Sequence, residues 1–482
     1  MKKYLFLFLI FSFQFLTAQW EPTVRLTNDP GNSSISDNNA RCIAANGNTV
    51  HIVWYDDRDG NKEIYYKNSI DCGLTWGLDR RLTNDIANSI FPSIALSDSF
   101  IHVVWTDDRD GNKEIYYKRS TDGGFSWEPD IRLTYDNALS DFPSIAVFES
   151  DLHVVWRDNR DGNDEIYYKH SSDNGLSWGL DLRLTNNDAE SLGPSVSVSG
   201  PFVHVTWRDA RDGSLEIYYK RSTNGGNDWE TDKRLSGNYV YASASPSIAV
   251  SGSMVYVIYV QQVGRFNYYI EFRRSTDSGF FWEGSHLLSY NINDSKLPCI
   301  AVSGSVVHAI WLALLGPWKL IYKRSQDGGL TWESNVTLSS SSVSSSSIAI
   351  SDSIVHVLWY DDTAGNNEIY YKRNPNGNPV GIKIIDPEIP EEFSLSQNYP
   401  NPFNPTTIIS WQSPVGSWQT LKVYDILGNE IATLVDEYRE AGSYEVEFNV
   451  AQVSKPELPS GIYLYKLTAG KFSTVRKMML IK

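Results

Sequence analysis

The side chains that could do chemistry in this 482-residue chain recur at a fixed spacing. The turn Asp-Asp-Arg-Asp-Gly-Asn occupies residues 56–61 and 107–112, and variants of it begin at Asp158 and Asp209. Its carboxylates could bind calcium, but they do not follow the spacing of a calcium-loop motif. A tight hairpin turn with Asp–Arg pairing explains the pattern more simply. We therefore expect no cofactor and no dedicated metal site, with occasional ion binding at these turns as the alternative.

These turns belong to a repeat of about fifty residues. The pattern Val-His-Val-Val-Trp, or a close variant, ends at Trp54, Trp105, Trp156, Trp207, Tyr259, Trp311 and Trp359. Each unit contains four short β-type runs separated by turn residues, which is typical of a propeller blade. The sequence therefore predicts an all-β protein with a seven-bladed β-propeller at residues 19–373.

The two ends of the repeat array complement each other. The segment from Trp20 to Thr27 matches a fourth run without its first three, and the last unit, 347–373, has three runs and no fourth. We predict that Val24–Thr27 pairs with Glu368–Lys372 and closes the ring, because this removes two free strand edges.

Six of the eight histidines occupy one repeat position, which suggests a ring of metal ligands. In a propeller this position lies on the second strand of each blade, where side chains related by the rotation axis cannot converge on one ion. We interpret them as packing residues: His51, His102, His153, His204, His308 and His356.

A second motif, Ser-x-Asp-x-Gly-x-x-Trp, lies between the third and fourth runs. Its short polar side chains can bond the backbone of the turn, its Gly accepts a positive φ, and its Trp packs over the hairpin. The chain from Trp20 to Arg373 thereby resembles the Asp-box propellers (bacterial neuraminidase repeats) of the sialidase superfamily. The resemblance implies that the box residues are structural and lie opposite the active face: Asp71, Asp122, Asp173, Asn224, Asp277 and Asp327.

The resemblance also raises the possibility of sialidase chemistry, which uses three arginines, an Asp acid/base and a Tyr nucleophile assisted by Glu. Arg41 stands where units two to six have Pro, and Arg41-Cys42-Ile43 looks like the Arg-Ile-Pro motif of sialidases, with Asp56, Asp57 and Asp59 following. The Pro after Ile is absent, sialidases have six blades, and no second or third unique arginine stands out. We therefore name Arg41 and these three aspartates only as candidates and favour a chain without catalysis.

The repeat breaks down in units five and six, which suggests a ligand site. Their turns between the second and third runs replace the charged motif with residues 261–267, including Arg265 and Phe266, and 312–318, including Trp318. The connection into unit five carries Tyr239 and Tyr241. Such apolar and aromatic replacements tend to mark binding sites, although two diverged repeats packing on each other would look the same.

Charge and hydropathy restrict the partners. Lys and Arg number 42 and Asp and Glu 58, so the formal charge is 42 − 58 = −16, which disfavours nucleic acid. Residues 1–18 resemble a signal peptide, and no later apolar run reaches the length of a membrane span. Three cysteines, an odd count, exclude a disulfide scaffold.

The composition changes after Arg373. Residues 374–392 are rich in Pro, Gly and acidic residues and are interpreted as a linker. Residues 393–482 then contain Asn398-Tyr399-Pro400-Asn401-Pro402, Val423-Tyr424-Asp425, Gly461-Ile462-Tyr463 and a last run from Lys477 to Lys482. They are similar to the C-terminal sorting domains of type IX secretion cargo, which implies a small Ig-like β-sandwich recognised by the outer-membrane translocon. An ordinary adhesive Ig-like module is the alternative.

Together these features predict a secreted or outer-membrane-surface protein of a Gram-negative bacterium, exported through the periplasm. We expect its propeller to bind a glycan or a protein. A sialidase-type glycoside hydrolase and an architectural surface component are the alternatives.

Overall fold

The computed structural model describes residues 20–38, 40–237, 242–264, 267–289, 294–377, 393–415, 417–436, 442–450, 458–470 and 472–481, with the backbone of 383–384 and 437–439. The described chain forms strands and turns and contains no α-helix. It divides into two compact units, Met1–Pro379 and Val380–Lys482. Within the described residues, no helix has the length and apolar character that a membrane crossing requires.

The described part of the first unit contains seven antiparallel sheets in a propeller-like arrangement. The first strand, β1 (Val24–Arg25), belongs to sheet 7. Sheet 1 contains β2 (Ser33–Ser34), β3 (Ile43–Asn46), β4 (Thr49–Asp56), β5 (Glu63–Ser69) and β6 (Arg80–Arg81). Sheet 2 contains β7 (Ser89–Ser97), β8 (Phe100–Asp107), β9 (Glu114–Ser120) and β10 (Ile131–Arg132). Sheet 3 contains β11 (Ser140–Phe148), β12 (Asp151–Asp158), β13 (Glu165–Ser171) and β14 (Leu182–Arg183).

The remaining sheets of this unit repeat the same order. Sheet 4 contains β15 (Ser191–Ser199), β16 (Phe202–Asp209), β17 (Glu216–Ser222) and β18 (Lys233–Arg234). Sheet 5 contains β19 (Ser243–Ser251), β20 (Met254–Gln262), β21 (Tyr268–Ser275) and β22 (His286–Leu287). Sheet 6 contains β23 (Ser295–Ser303), β24 (Val306–Leu314), β25 (Trp318–Ser325) and β26 (Val336–Thr337). Sheet 7 contains β27 (Ser345–Ser351), β28 (Ile354–Asp361) and β29 (Glu368–Asn374), followed by β1 at its edge.

The second strand of each sheet is buried along almost its whole length. In sheet 2, every residue of β8 after Phe100 is buried. This burial arises because neighbouring sheets pack on both faces: one apolar cluster joins Tyr117 of sheet 2 to Val154 and Trp156 of sheet 3. The strands therefore have near-continuous apolar runs rather than a strict alternation of apolar and polar residues.

Aromatic pairs join successive sheets all around the unit. Trp127, which follows the Asp box of sheet 2, packs edge-on against Tyr66 of sheet 1, with 5.0 Å between ring centroids. Trp76 of sheet 1 makes the same contact with Tyr371 of sheet 7, at 4.9 Å. Trp20 packs edge-on against Tyr322 of sheet 6, also at 4.9 Å. The first and last sheets are therefore neighbours.

The N-terminal segment supplies the fourth strand of sheet 7, as the sequence predicted. Val24 is paired with Tyr371 and Arg25 with Tyr370. Glu21 accepts hydrogen bonds from the Arg373 guanidinium at 2.5 and 2.9 Å. Glu128 and Arg119 form the same pair within sheet 2.

The strand register places the turns between the second and third strands on one face of the unit and the Asp boxes on the opposite face. In sheet 3, Ser140 at the start of the first strand is opposite Asp158 at the end of the second, and Asp158 is opposite Glu165 at the start of the third. We call this side the turn face, because it carries the turns between the second and third strands. The Asp boxes follow the third strands and therefore lie on the other side.

The second unit contains two four-stranded antiparallel sheets. One is formed by β30 (Lys383–Ile384), β31 (Ser394–Leu395), β32 (Thr406–Ser413) and β35 (Gly442–Asn449), and the other by β33 (Ser417–Tyr424), β34 (Glu430–Arg439), β36 (Gly461–Ala469) and β37 (Phe472–Leu480). Side chains of both sheets, including Trp411 and Tyr465, share one apolar core. The unit thus has a core of its own.

Candidate functional site

The recurring charged turns are held by contacts within each sheet. In sheet 2, the buried Asp107 carboxylate accepts hydrogen bonds from Trp105 Nε1 at 2.8 Å and Ser89 Oγ at 2.8 Å. Arg109 donates to the same carboxylate from Nε at 2.7 Å and Nη2 at 2.6 Å. The turn is therefore an Asp–Arg hairpin of the kind the sequence suggested. Among the described residues, no cluster of three His, Cys, Asp or Glu side chains is arranged to hold a metal ion.

Each aspartate that was named as a catalytic candidate is likewise held by structural hydrogen bonds or ion pairs. Asp56 accepts hydrogen bonds from Trp54 Nε1, Ser33 Oγ and Arg58 Nη2. Asp57 accepts the backbone N–H of Asn32 at 2.6 Å. Asp59 accepts the hydroxyl of Tyr65 and pairs with Arg81 at 3.2 Å.

The structure places Arg41 apart from these aspartates. It lines a central cavity of about 240 Å³ together with residues of the innermost strands, among them Ala95, Ala249 and Ala349. Its Nη2 donates to the backbone oxygen of Ile248 at 3.3 Å. Burial in this cavity lowers the pKa of the Arg41 guanidinium. None of the three aspartates lines this cavity, so the candidates do not form one site.

The Asp boxes have the local bonding that the motif predicts. In the first box, Asp71 accepts hydrogen bonds from Thr75 Oγ1 at 2.6 Å and the Thr75 backbone N–H at 2.8 Å. These bonds lower the pKa of Asp71 to about 2. Asn224 replaces Asp in the fourth box and accepts the backbone N–H of Asp228 at 2.9 Å through Oδ1. The remaining box positions make equivalent contacts: Asp122, Asp173, Asp277 and Asp327.

The repeated histidines are buried packing residues. His102 is fully buried, and its Nδ1 lies 2.8 Å from the hydroxyl of Tyr117. Burial lowers the pKa of His102 to about 3, so the ring is neutral near pH 7. The same pairing occurs at His51, His153, His204, His308 and His356.

Five sheets have a buried aspartate at the end of the second strand, sheet 5 has Gln261 there, and sheet 6 has neither. Ala313 is opposite Ser295, at the position that Asp107 occupies opposite Ser89 in sheet 2. As a result, the buried Ser295 Oγ and Trp311 Nε1 have no hydrogen-bond partner among the described residues. A buried hydroxyl without a partner costs about 1–3 kcal/mol, and Ser295 lines a cavity that an external partner could enter.

That cavity, which we call the aromatic cavity, has a volume of about 520 Å³ on the turn face between sheets 5 and 6. Its lining residues are Ala244, Ser245, Val260, Tyr268, Asp294, Ser295, Lys296 and Trp318. The Lys296 ammonium lies 4.1 Å from the centre of the Trp318 ring, and burial lowers the pKa of Lys296. The cavity thus combines aromatic walls with a few polar groups, as small-ligand sites commonly do.

The sequence candidates around this cavity fall into two groups. Trp318 lies in its lining. Tyr239, Tyr241, Arg265 and Phe266 lie outside the described residues, and their role stays a prediction. The sequence reasoning missed Tyr268, Ser295 and Lys296.

A second cavity, the arginine cavity, adjoins the first through Ser245. It has a volume of about 230 Å³ and is lined by Asp37, Asn38, Phe142, Arg157, Leu192, Gly193, Arg208, Ser245 and Pro246. Arg157 and Arg208 occupy the residue after the buried Trp of sheets 3 and 4. The other five units have Tyr, Thr, Val, Leu and Tyr at this position: Tyr55, Thr106, Val260, Leu312 and Tyr360. That deviation from the repeat is the sequence signal that could have identified the two arginines.

The C-terminal unit matches a known family. Residues 397–482 match the family model of the secretion system C-terminal sorting domain. The predicted type IX sorting domain is thereby confirmed, and such a tail marks a protein for export, so the chain is secreted or attached to the cell surface. Lys477 lies in β37 opposite Leu464, and Lys482 is outside the described residues.

The first unit is similar in fold to polysaccharide-active propellers. An ulvan lyase bound to -[GlcA(1-4)Rha3S]- superposes with a TM-score of 0.53 at 12% identity, covering 73% of this chain and 95% of that one. The polysaccharide lyase Uly1 superposes with a TM-score of 0.51 at 9% identity, covering 74% and 99%. A Trypanosoma rangeli sialidase has a TM-score of 0.42 at 12% identity, covering 83% and 85%. No curated protein matches the sequence. At these identities the first two likenesses establish the fold only.

Proposed function

We propose that the chain is an exported, seven-bladed β-propeller that binds a glycan on its turn face and carries an Ig-like sorting domain at its C-terminus. Residues 19–373 would form the binding module, 374–392 a linker, and 393–482 the part that engages the secretion machinery after removal of a signal peptide at residues 1–18. The observation that carries the binding function is the aromatic cavity.

The cavity suits a sugar ring for three physical reasons. The Trp318 and Tyr268 rings offer apolar faces on which the C–H face of a pyranose can stack, and Tyr268 is 39% exposed. Ser295 Oγ offers a buried hydroxyl that needs a partner. Lys296 and Asp294 add a donor and an acceptor at the same opening.

A glycan array probed with the purified chain tests this proposal, with Trp318→Ala as the site variant. Phe125→Ala is the matched control, because Phe125 is 72% exposed and lies beside an Asp box on the opposite face. We expect Trp318→Ala to weaken glycan binding about tenfold or more and Phe125→Ala to leave it unchanged. Equal binding by all three proteins would exclude the aromatic cavity as the site.

A glycoside hydrolase of sialidase type is the second candidate. It is carried by the position of Arg41, whose guanidinium lies in the central cavity without a carboxylate partner among the described residues. Hydrolysis of a fluorogenic sialoside by the wild-type chain, lost in Arg41→Ala, would support it. We expect no hydrolysis, since the aspartates after Arg41 are held in structural bonds.

A further inference from the structure

Arg157 and Arg208 hold the same position in adjacent sheets but have different partners. Asp141 is directly opposite Arg157 in sheet 3 and accepts from its Nε and Nη2, both at 2.6 Å. Leu192 is directly opposite Arg208 in sheet 4. A leucine cannot accept a hydrogen bond, so the second arginine has no cross-strand counter-ion.

No described residue takes the place of the missing counter-ion of Arg208. Arg208 Nε is buried without a hydrogen-bond partner, and the guanidinium forms no ion pair among the described residues. Burial, and then the charge of Arg157, lower the pKa of Arg208, whereas the nearby Glu190 opposes this change without pairing. A half-buried cation that lacks an anion is an unfavourable arrangement in a folded protein, and an external anion would relieve it.

The surroundings of Arg208 offer further donors to such an anion. Asn38 Nδ2, in the same cavity lining, is also buried without a partner among the described residues. Among the lining residues, Asp37 carries the one carboxylate, and desolvation by the surrounding protein raises its pKa. Arg157 adds a positive charge that Asp141 largely offsets.

We propose that the arginine cavity binds the anionic substituent, a carboxylate or a sulfate ester, of an acidic glycan. This inference rests on the proposed glycan binding and extends it. Because the two cavities share Ser245, one chain of sugars can place an acidic unit at Arg208 and another ring on Trp318. The preferred ligand is therefore a polyanionic polysaccharide bound along its chain.

The test uses calorimetry with the full chain and three oligosaccharides: an oligogalacturonate, its carboxyl-reduced neutral form, and a sulfated galactan fragment. We expect one or both acidic probes to bind more tightly than the neutral form. Arg208→Gln should weaken the acidic probe about 10- to 100-fold and leave the neutral form unaffected. The preference for the acidic probe should also fall as salt is raised. A preference for one acidic probe tells carboxylate from sulfate recognition.

Leu192→Asp is a more specific test than substitution of Arg208. It recreates in sheet 4 the Asp141–Arg157 pair of sheet 3, so it keeps Arg208 in place but supplies an internal counter-ion. We expect it to abolish the preference for acidic probes, whereas Leu192→Asn, with a similar volume and no charge, should retain most of it. Asp37→Asn should strengthen binding of the acidic probes.

The outcomes separate the inference from the function on which it rests. If neutral and acidic probes bind alike and Trp318→Ala weakens both, the glycan site stands and the anion site is overturned. Acidic binding that survives both Arg208→Gln and Leu192→Asp overturns the anion site as well. If no oligosaccharide binds, the proposed function fails. Titration with sodium glucuronate then tests the anion site by itself. Binding to the wild type that is lost in Arg208→Gln supports the site, and any other result overturns it.

Discussion

Closure of the ring by the N-terminal segment can be tested at a single side chain, Leu26. This residue is 6% exposed and packs in a core cluster with Ile64 and Ile369. Its backbone N–H donates to Ile369 O at 2.8 Å. Leu82 has the same exposure of 6% and the equivalent bond to Ile64 O, at 2.7 Å, but lies within its own sheet. Leu82→Ala is therefore a matched control for Leu26→Ala.

The expected loss of stability follows from the burial of the leucine side chain. Removing a buried leucine side chain to alanine costs about 2–5 kcal/mol, and we take about 3 kcal/mol for both sites. A domain of about 355 residues unfolds with an entropy of about 0.75 kcal/mol/K, so each variant should melt about 4 °C lower. Differential scanning calorimetry of the wild type and both variants measures this. A melting temperature unchanged by Leu26→Ala, with Leu82→Ala lowered as expected, would refute closure by the N-terminal strand.

Three further predictions concern the turns, the buried histidines and export. Gly124→Ala should destabilise strongly, because its Cβ would meet a tyrosine hydroxyl of the preceding sheet at 2.1 Å. Gly123→Ala, with open space around its Cβ, should cost much less in calorimetry. The pKa of His102 is about 3 in the folded chain and about 6.5 in the unfolded chain. The stability that depends on the neutral ring is therefore complete above pH 6.5 and is lost as the pH falls towards 3. Sheet 5 has Tyr and Phe at these two positions, so the double variant His102→Tyr with Tyr117→Phe is a suitable test. Between pH 7 and pH 4, the free energy of unfolding should fall by about 3 kcal/mol less in this variant than in the wild type. An identical pH profile of the two proteins would contradict this. Truncation of residues 477–482 should leave the chain in the periplasm, and surface display of the truncated chain in cell fractionation would contradict the sorting role.

The strand pattern of the first unit was predictable because each sheet repeats the same local chemistry. The match of Trp20 and Glu21 to a fourth run indicated the closing strand, since the same side chains meet the same partners in sheet 2. The Asp–Arg pairing in the charged turns followed from residue type and spacing alone.

The candidate site was predictable only in part, because it depends on contacts across strands and between sheets. The sequence identified Trp318 as an aromatic replacement, but Ser295 becomes a site residue only because Ala313 is opposite it. Arg157 and Arg208 look equivalent in sequence, and the strand register alone distinguishes the paired one from the unpaired one. Arg41 and three aspartates were named together as catalytic candidates, but those carboxylates are bound by structural partners away from the cavity that Arg41 lines.

The closing strand also determines the order in which the ring can fold. Val24 pairs with Tyr371, 371 − 24 = 347 residues away, whereas Ile131 pairs with Tyr117 across 131 − 117 = 14 residues. If the intervening chain were flexible, joining the distant pair would require about 3 kcal/mol more chain entropy. The sheets between them remove that penalty only once they have folded and brought the two ends together. The pairing of β1 with β29 should therefore be a late event, and an incomplete ring would expose an unpaired strand edge until the last sheet has formed.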